Sequence, residues 1–234
     1  MASHPFAALR EEAWEANQAL PKGGLVLFTF GNVSVFDRDR CVFAIKPSGV
    51  PYDALLASDL VVVDLEGRVV DGKLRPSSDT KTHAMIYTHF SEISAIAHTH
   101  STHAVAWAQT MRDIPVYGTT HADHTPGPIP CAAPLSDERI AGDYELETGL
   151  QIVQEFERRG LNPVNHPFVL VGGHGPFMWG DSGAKAVYHS VVLEELARIA
   201  WLTEQLSPNP QPIKEALIAK HYWRKHGEGK YYGQ

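Results

Sequence analysis

Several things are scarce in this chain. Only two cysteines, Cys41 and Cys131, occur in 234 residues. They stand alone, without a metal-type spacing, and suggest no disulfide framework. A reduced, cytoplasmic setting suits them as small buried apolar residues. Long apolar runs are missing too. The longest aliphatic stretch, residues 60–63, is far too short to span a bilayer. The first residues lack a basic segment followed by an apolar one, so no signal peptide and no membrane partner are expected. Positive charge is in deficit, with 20 Lys and Arg against 27 Asp and Glu and a net charge of −7. That balance argues against a general nucleic-acid or membrane-surface binder. It leaves room for a phosphorylated small molecule, which needs only a local positive site. No repeat, low-complexity tract or linker interrupts the chain, so one domain over residues 1–234 is expected.

Histidine is plentiful, with thirteen in all. The most informative pair closes a short apolar run, Ala95-Ile96-Ala97-His98-Thr99-His100. Alternate side chains of a strand share one face, so His98 and His100 point the same way. Two imidazoles so placed can grip a divalent ion. An isolated His-x-His is more often a pair of ordinary polar residues at a strand end. Here it has company: Asp79 upstream, and His174 in the turn Gly172-Gly173-His174-Gly175 downstream.

Other segments supply the setting. Apolar residues at spacings of three and four predict a helix over 6–20, stopped by Pro21 and the Gly23-Gly24 pair. Residues 25–30 read as a strand running into a Gly31-Asn32 turn, where Asn32 could offer its amide to a substrate oxygen. A strand over 41–45 leads into Lys46-Pro47-Ser48-Gly49, a turn equally suited to holding phosphate or to lying solvated. Residues 59–70 predict short strands around a Glu66-Gly67 hairpin. Pro76-Ser77-Ser78-Asp79 precedes a helical segment over 83–90. The start of that helix is both a capping signal and an anion site, and Asp79 either caps it or faces a metal. The loop over 114–124, with Thr119, His121 and Asp123, is dense in ionisable groups. Helices are predicted over 102–111, 146–159 (with Thr148, Gly149 and Gln151 on its polar side), 184–205 and from 213 onward. A strand is predicted over 168–171. Strands and helices alternate irregularly, which predicts an α/β fold: an α/β/α three-layer sandwich around a mostly antiparallel sheet.

Taken in order, these motifs resemble the class II aldolase family over nearly the whole chain. The resemblance rests on Gly31-Asn32-Val33-Ser34, Lys46-Pro47-Ser48-Gly49, Pro76-Ser77-Ser78-Asp79, His98-Thr99-His100, Gly118-Thr119-Thr120-His121-Ala122-Asp123, His174-Gly175-Pro176-Phe177 and the closing Tyr231-Tyr232-Gly233-Gln234. Asp79, the Asp123 loop and the Tyr232 tail are similar to the pentose-phosphate 4-epimerases of that family. Its fuculose-phosphate aldolases carry Glu where Asp79 stands. The resemblance implies interconversion of L-ribulose 5-phosphate and D-xylulose 5-phosphate by cleavage and re-formation of a carbon–carbon bond. A sugar-phosphate aldolase and a catalytically silent adducin-like scaffold are the alternatives. It further implies one divalent ion per subunit on His98, His100 and His174, with Asp79 close by or ligating; zinc is expected, with manganese or cobalt as substitutes. Gly31, Asn32, Lys46, Ser48, Gly49, Ser77 and Ser78 would hold the substrate and its phosphate. Asp123 and Tyr232 would be the acid/base pair, and Thr119, Glu145, His221 and Arg224 would line the same region. The implied assembly is a homotetramer with sites shared between adjacent subunits.

Overall fold

A computed structural model describes residues 4–231. Its framework follows from short β-branched and aromatic runs that pair edge to edge. Among the described residues eight strands form one sheet: β1 (Asn32–Asp37), β2 (Val42–Ile45), β3 (Val61–Asp64), β4 (Val69–Asp71), β5 (Ala95–His98), β6 (Cys131–Ala132), β7 (Phe168–Val171) and β8 (Gly175–Gly180). Their order is β4-β3-β2-β1-β5-β8-β7-β6. Every pairing is antiparallel except β6 with β7.

Among the described residues eight α-helices accompany the sheet: α1 (Ala7–Lys22), α2 (Thr80–His89), α3 (Thr102–Thr110), α4 (Thr119–Ala122), α5 (Asp137–Ala141), α6 (Tyr144–Arg159), α7 (Gly183–Leu206) and α8 (Glu215–His226). α1, α3 and α7 cover one face, and α2 and α6 the other. The two-residue period of the strands sorts their side chains between these layers. Val33, Val35, Ala95 and Ala97 enter the core under α1 and α7. Phe36, Ile96, Phe177 and Trp179 enter the core under α2 and α6. The fold is thus the expected α/β/α sandwich with a mostly antiparallel sheet. No helix among the described residues is long and apolar enough to cross a membrane.

Four local expectations need correcting. Cys131 is buried as expected, but Cys41 is exposed. Residues 25–30 are irregular, with a turn at 28–29, rather than a strand; β1 starts at Asn32, and both its edges are already taken by β2 and β5. Pro21 lies inside the last turn of α1, which runs to Lys22. Thr148 and Gly149 are buried rather than on a polar face. The Thr148 hydroxyl donates to the Tyr144 carbonyl at 2.8 Å, so its polar atom is satisfied within the helix. A Cβ on Gly149 would stand 2.7 Å from Cβ of Met85, so glycine is what lets α6 lie against α2.

Candidate active site

Antiparallel pairing builds the site at the ends of β1, β5 and β8. Asn32, His98 and Phe177 lie in one cross-strand row. His98 stacks on the Phe177 ring, centroids 4.2 Å apart and planes inclined by 17°. Its Nδ1 donates to the Pro176 carbonyl at 2.8 Å. That bond places the hydrogen on Nδ1 and turns the Nε2 lone pair outward, as carbonyl partners do for metal-binding imidazoles. His100 lies two residues beyond, past the end of β5, and brings its Nε2 to 3.1 Å from Nε2 of His98. The β7–β8 turn supplies His174, whose ring centroid is 4.8 Å from His98 and 5.3 Å from His100. One ring nitrogen from each of the three histidines lies within 4.8 Å of the other two.

Burial, reinforced by His98 and His100, pushes His174 down to about 4, and burial with His98 lowers His100. Both rings are neutral at pH 7 and present lone pairs. Three convergent imidazoles with a carboxylate beside them fit a divalent transition ion. The carboxylate is Asp79. It sits at the N-cap position of α2 yet makes no side-chain cap bond. Instead it accepts from Asn32 Nδ2 at 2.6 Å and Ser77 Oγ at 3.4 Å. Burial pushes its carboxyl up, but His98, His83 and the Asn32 bond outweigh that and hold it below the ordinary value.

Beside the histidines lies a cavity of about 420 Å³. Gly31, Asn32, Lys46, Ser48, Gly49, Ser77, Ser78, Asp79, His98, His100, Glu145 and His174 all line it. Its two turns are held together by the Pro47–Pro76 bridge, by Ser48 N–H donating to Arg75 O at 3.0 Å and by Ser77 N–H donating to Lys46 O at 3.1 Å. Ser77 and Ser78 therefore stand at the start of α2, where backbone N–H groups favour an anion. Gly31 is needed for closeness: a Cβ there would lie 2.8 Å from the His98 carbonyl oxygen, and its φ is +74°. Lys46 is only 2% exposed. Its Nζ reaches the Thr29 carbonyl at 3.4 Å and lies 4.8 Å above the Tyr52 ring. Burial pushes the ammonium down to about 8.

Thr119, Asp123, His221 and Arg224 do not line this cavity. They meet where α4 packs on α8. His221 Nδ1 is 3.0 Å from Asp123 Oδ1, and Arg224 Nη2 donates to the same oxygen at 3.2 Å. Thr119 accepts from Asp123 N–H through its carbonyl at 2.9 Å. Tyr232 lies outside the described residues. Two residues near the cavity were not singled out from the sequence. Tyr144, next to Glu145, brings its hydroxyl to 3.4 Å from His174 Nδ1. His83 follows Asp79 by one helical turn, a spacing that aligns two side chains on one helix face.

Residues 11–201 match the class II aldolase and adducin N-terminal domain family, and the chain belongs to it. It is 48% identical over 226 residues to the L-ribulose-5-phosphate 4-epimerase UlaF of Salmonella paratyphi A, covering 97% of this chain and 98% of that protein. Likeness to the protein of the same name from Salmonella typhi has the same extent. Among solved structures, an L-fuculose 1-phosphate aldolase superposes with a TM-score of 0.78 at 25% identity, covering 94% of this chain and 96% of that one. Class II aldolases are metal-dependent, and His98, His100 and His174 form a triad able to hold an ion.

Proposed function

We propose that this chain, as one domain, catalyses the metal-dependent interconversion of L-ribulose 5-phosphate and D-xylulose 5-phosphate. The observation that carries the reading is the near-full-length likeness to relatives named for this reaction. The cavity agrees with it chemically. Carbon 4 of a ketopentose phosphate is not next to the carbonyl, so its hydrogen is not acidic. Inversion there proceeds by retro-aldol cleavage. A base removes the proton of the carbon-4 hydroxyl, and the electrons of the carbon 3–carbon 4 bond move into the enediolate of dihydroxyacetone. The other fragment is glycolaldehyde phosphate. It turns its opposite face, and the bond re-forms with inverted configuration.

A divalent ion on His98, His100 and His174, with Asp79 beside it, supplies Lewis-acid stabilisation of the enediolate charge. Zinc is the proposed ion, and manganese or cobalt suits the same donors. The remaining work falls to the chain. Ser48, Ser77, Ser78, Gly49 and Lys46 hold the phosphate, so the aldehyde fragment rotates without leaving. Gly31 and Asn32, which line the same cavity, hold the substrate with them. Asp123 and Tyr232 act as the acid/base pair on opposite faces of the aldehyde. In this reading they are delivered from a neighbouring subunit of a cytoplasmic homotetramer, with Thr119, His221 and Arg224 around them and Glu145 at the rim.

A coupled assay with chelated and zinc-restored protein tests the proposal. Metal-dependent interconversion of the two pentose phosphates is expected. The likeness to an L-fuculose 1-phosphate aldolase favours a second reading, cleavage with product release. Accumulation of free glycolaldehyde phosphate in place of the epimer would establish that reading.

A further inference from the structure

Two buried polar atoms beside the metal-binding triad have no hydrogen-bond partner among the described residues: Asn32 Oδ1 and His83 Nε2. Asn32 is 1% exposed and His83 is 0% exposed. An orphaned buried polar atom is destabilising, and folded proteins rarely leave one unmet.

Neither orphan is removed by re-orienting its side chain. Asn32 Nδ2 donates to Asp79 Oδ2 at 2.6 Å and to Ser77 Oγ at 3.2 Å. Flipping the amide would set its oxygen against a carboxylate, so Oδ1 is fixed as an unmet acceptor. His83 Nδ1 is engaged with Ser34 Oγ at 2.7 Å, and Ser34 Oγ with the Tyr87 hydroxyl at 2.7 Å. Tyr87 also donates to the Ser34 carbonyl at 3.1 Å. Reversing the His83 ring would forfeit the Ser34 bond.

The two atoms belong to one neighbourhood. Asn32 and Ser34 are alternate residues of β1 and share its α2 face. His83 lies over Ser34, and its ring centroid is 6.1 Å from Phe177. Phe177 in turn carries His98. His83 N–H donates to the Asp79 carbonyl at 3.0 Å, so the helix turn that bears Asp79 also bears His83.

We propose that His83 is a positioning residue of the site, joined to Asn32 Oδ1 by one buried water. A water has two hydrogens to give and two lone pairs to accept with. It therefore satisfies Asn32 Oδ1 whichever nitrogen of His83 carries the hydrogen. The bridge fixes the Asn32 amide from behind. That amide fixes Asp79, and Asp79 faces the histidine triad. The chain Tyr87, Ser34, His83, water, Asn32, Asp79 thus ties the wall of the cavity to the core under α2. The positioning role rests on the proposed metal site; the water does not.

A crystal structure of the zinc-loaded protein, at a resolution that shows ordered water, tests the bridge. The expected result is a water within hydrogen-bond distance of both His83 Nε2 and Asn32 Oδ1. A dry gap, or a water reaching only one of them, overturns it. The positioning role is read in the rate at which a chelator strips zinc from the parent, His83→Leu and His83→Gln. Leucine removes the polar end, and glutamine keeps one. Zinc loss about tenfold faster is expected for His83→Leu, the lower end of the range for lost outer-shell partners, with most of the retention restored in His83→Gln. Equal retention in all three, or equal loss in both variants, overturns the role. A parent that holds no zinc refutes the metal reading and the positioning role together, while the water is judged independently by crystallography. Should His83→Leu fail to fold, His83→Gln against the parent and the crystallographic result still decide.

Discussion

His98 and His100 present their Nε2 atoms to each other at 3.1 Å, so the two ring nitrogens converge on one point at the end of the strand. The Pro176 carbonyl holds the hydrogen of His98 on the far nitrogen. Replacing either histidine with Asn should therefore remove the bound metal and abolish turnover. Metal content by elemental analysis, read beside the epimerase rate, checks this. Full occupancy at a normal rate would refute the ligand assignment.

Lys46 is buried at the expense of stability. An unfolded chain keeps its proton up to the ordinary 10.5, whereas burial lets the folded chain keep it only to about 8. Between those values the unfolded chain binds more protons, so stability rises with pH across this window. Below about 8 the penalty for burying the charge is present in full. Lys46→Met should thus raise the melting temperature at neutral pH, and the gain should shrink as pH climbs from about 8 toward 10.5. It should also weaken substrate binding. In the parent, kcat/KM should fall above about pH 8 as the free enzyme loses this charge. A Met variant no more stable than the parent at pH 7 would show that the ammonium is better solvated than its surroundings indicate.

Glu194 of α7 caps α3, the helix that follows His100. Its Oε1 accepts from the backbone N–H and Nδ1 of His103 at 3.0 and 2.7 Å, and its Oε2 from Ala104 N–H at 3.0 Å. Ser101, at the N-cap, makes no side-chain cap bond. Glu194→Ala should lower unfolding stability by about 1–2 kcal/mol, the upper part of the range for a lost cap. Urea unfolding of metal-free protein measures it; an unchanged midpoint would mean that water caps the helix equally well.

The histidine pair was legible because period-2 geometry is local: the sequence needs only a strand ending near His98 to bring His98 and His100 together. The turns at 46–49 and 76–79 were legible as turns, but their joining through the Pro47–Pro76 bridge depends on pairing distant in sequence. Asp79 stayed ambiguous because a cap and a ligand use the same residue type; in the structure it makes no side-chain cap bond and accepts from Asn32 instead. Residues 25–30 misled because β-rich composition carries no information on whether a sheet edge is free. Phe28 takes a φ of +52° there and is 82% exposed. His83 was passed over because a histidine inside a helix looks ordinary until its neighbours across the sheet are known.

Asp123 poses the sharpest question about assembly. Its carboxylate is held by His221 and Arg224, and it does not line the cavity that contains the histidine triad of its own chain. If the acid/base group of one subunit serves the metal of the next, His98→Asn and Asp123→Asn chains are each inactive alone but defective in different halves of a site. Mixing them with verified subunit exchange should restore part of the activity, since some interfaces then pair an intact triad with an intact Asp123. Tyr232→Phe should behave as an Asp123-type defect, with turnover lowered at least ~10²-fold, the usual scale for a lost acid or base. It should be complemented by His98→Asn and not by Asp123→Asn, because the Tyr232 and Asp123 lesions fall in the same half. No recovery in any mixture would confine each site to one chain and leave Asp123 as the anchor that α4 offers to α8.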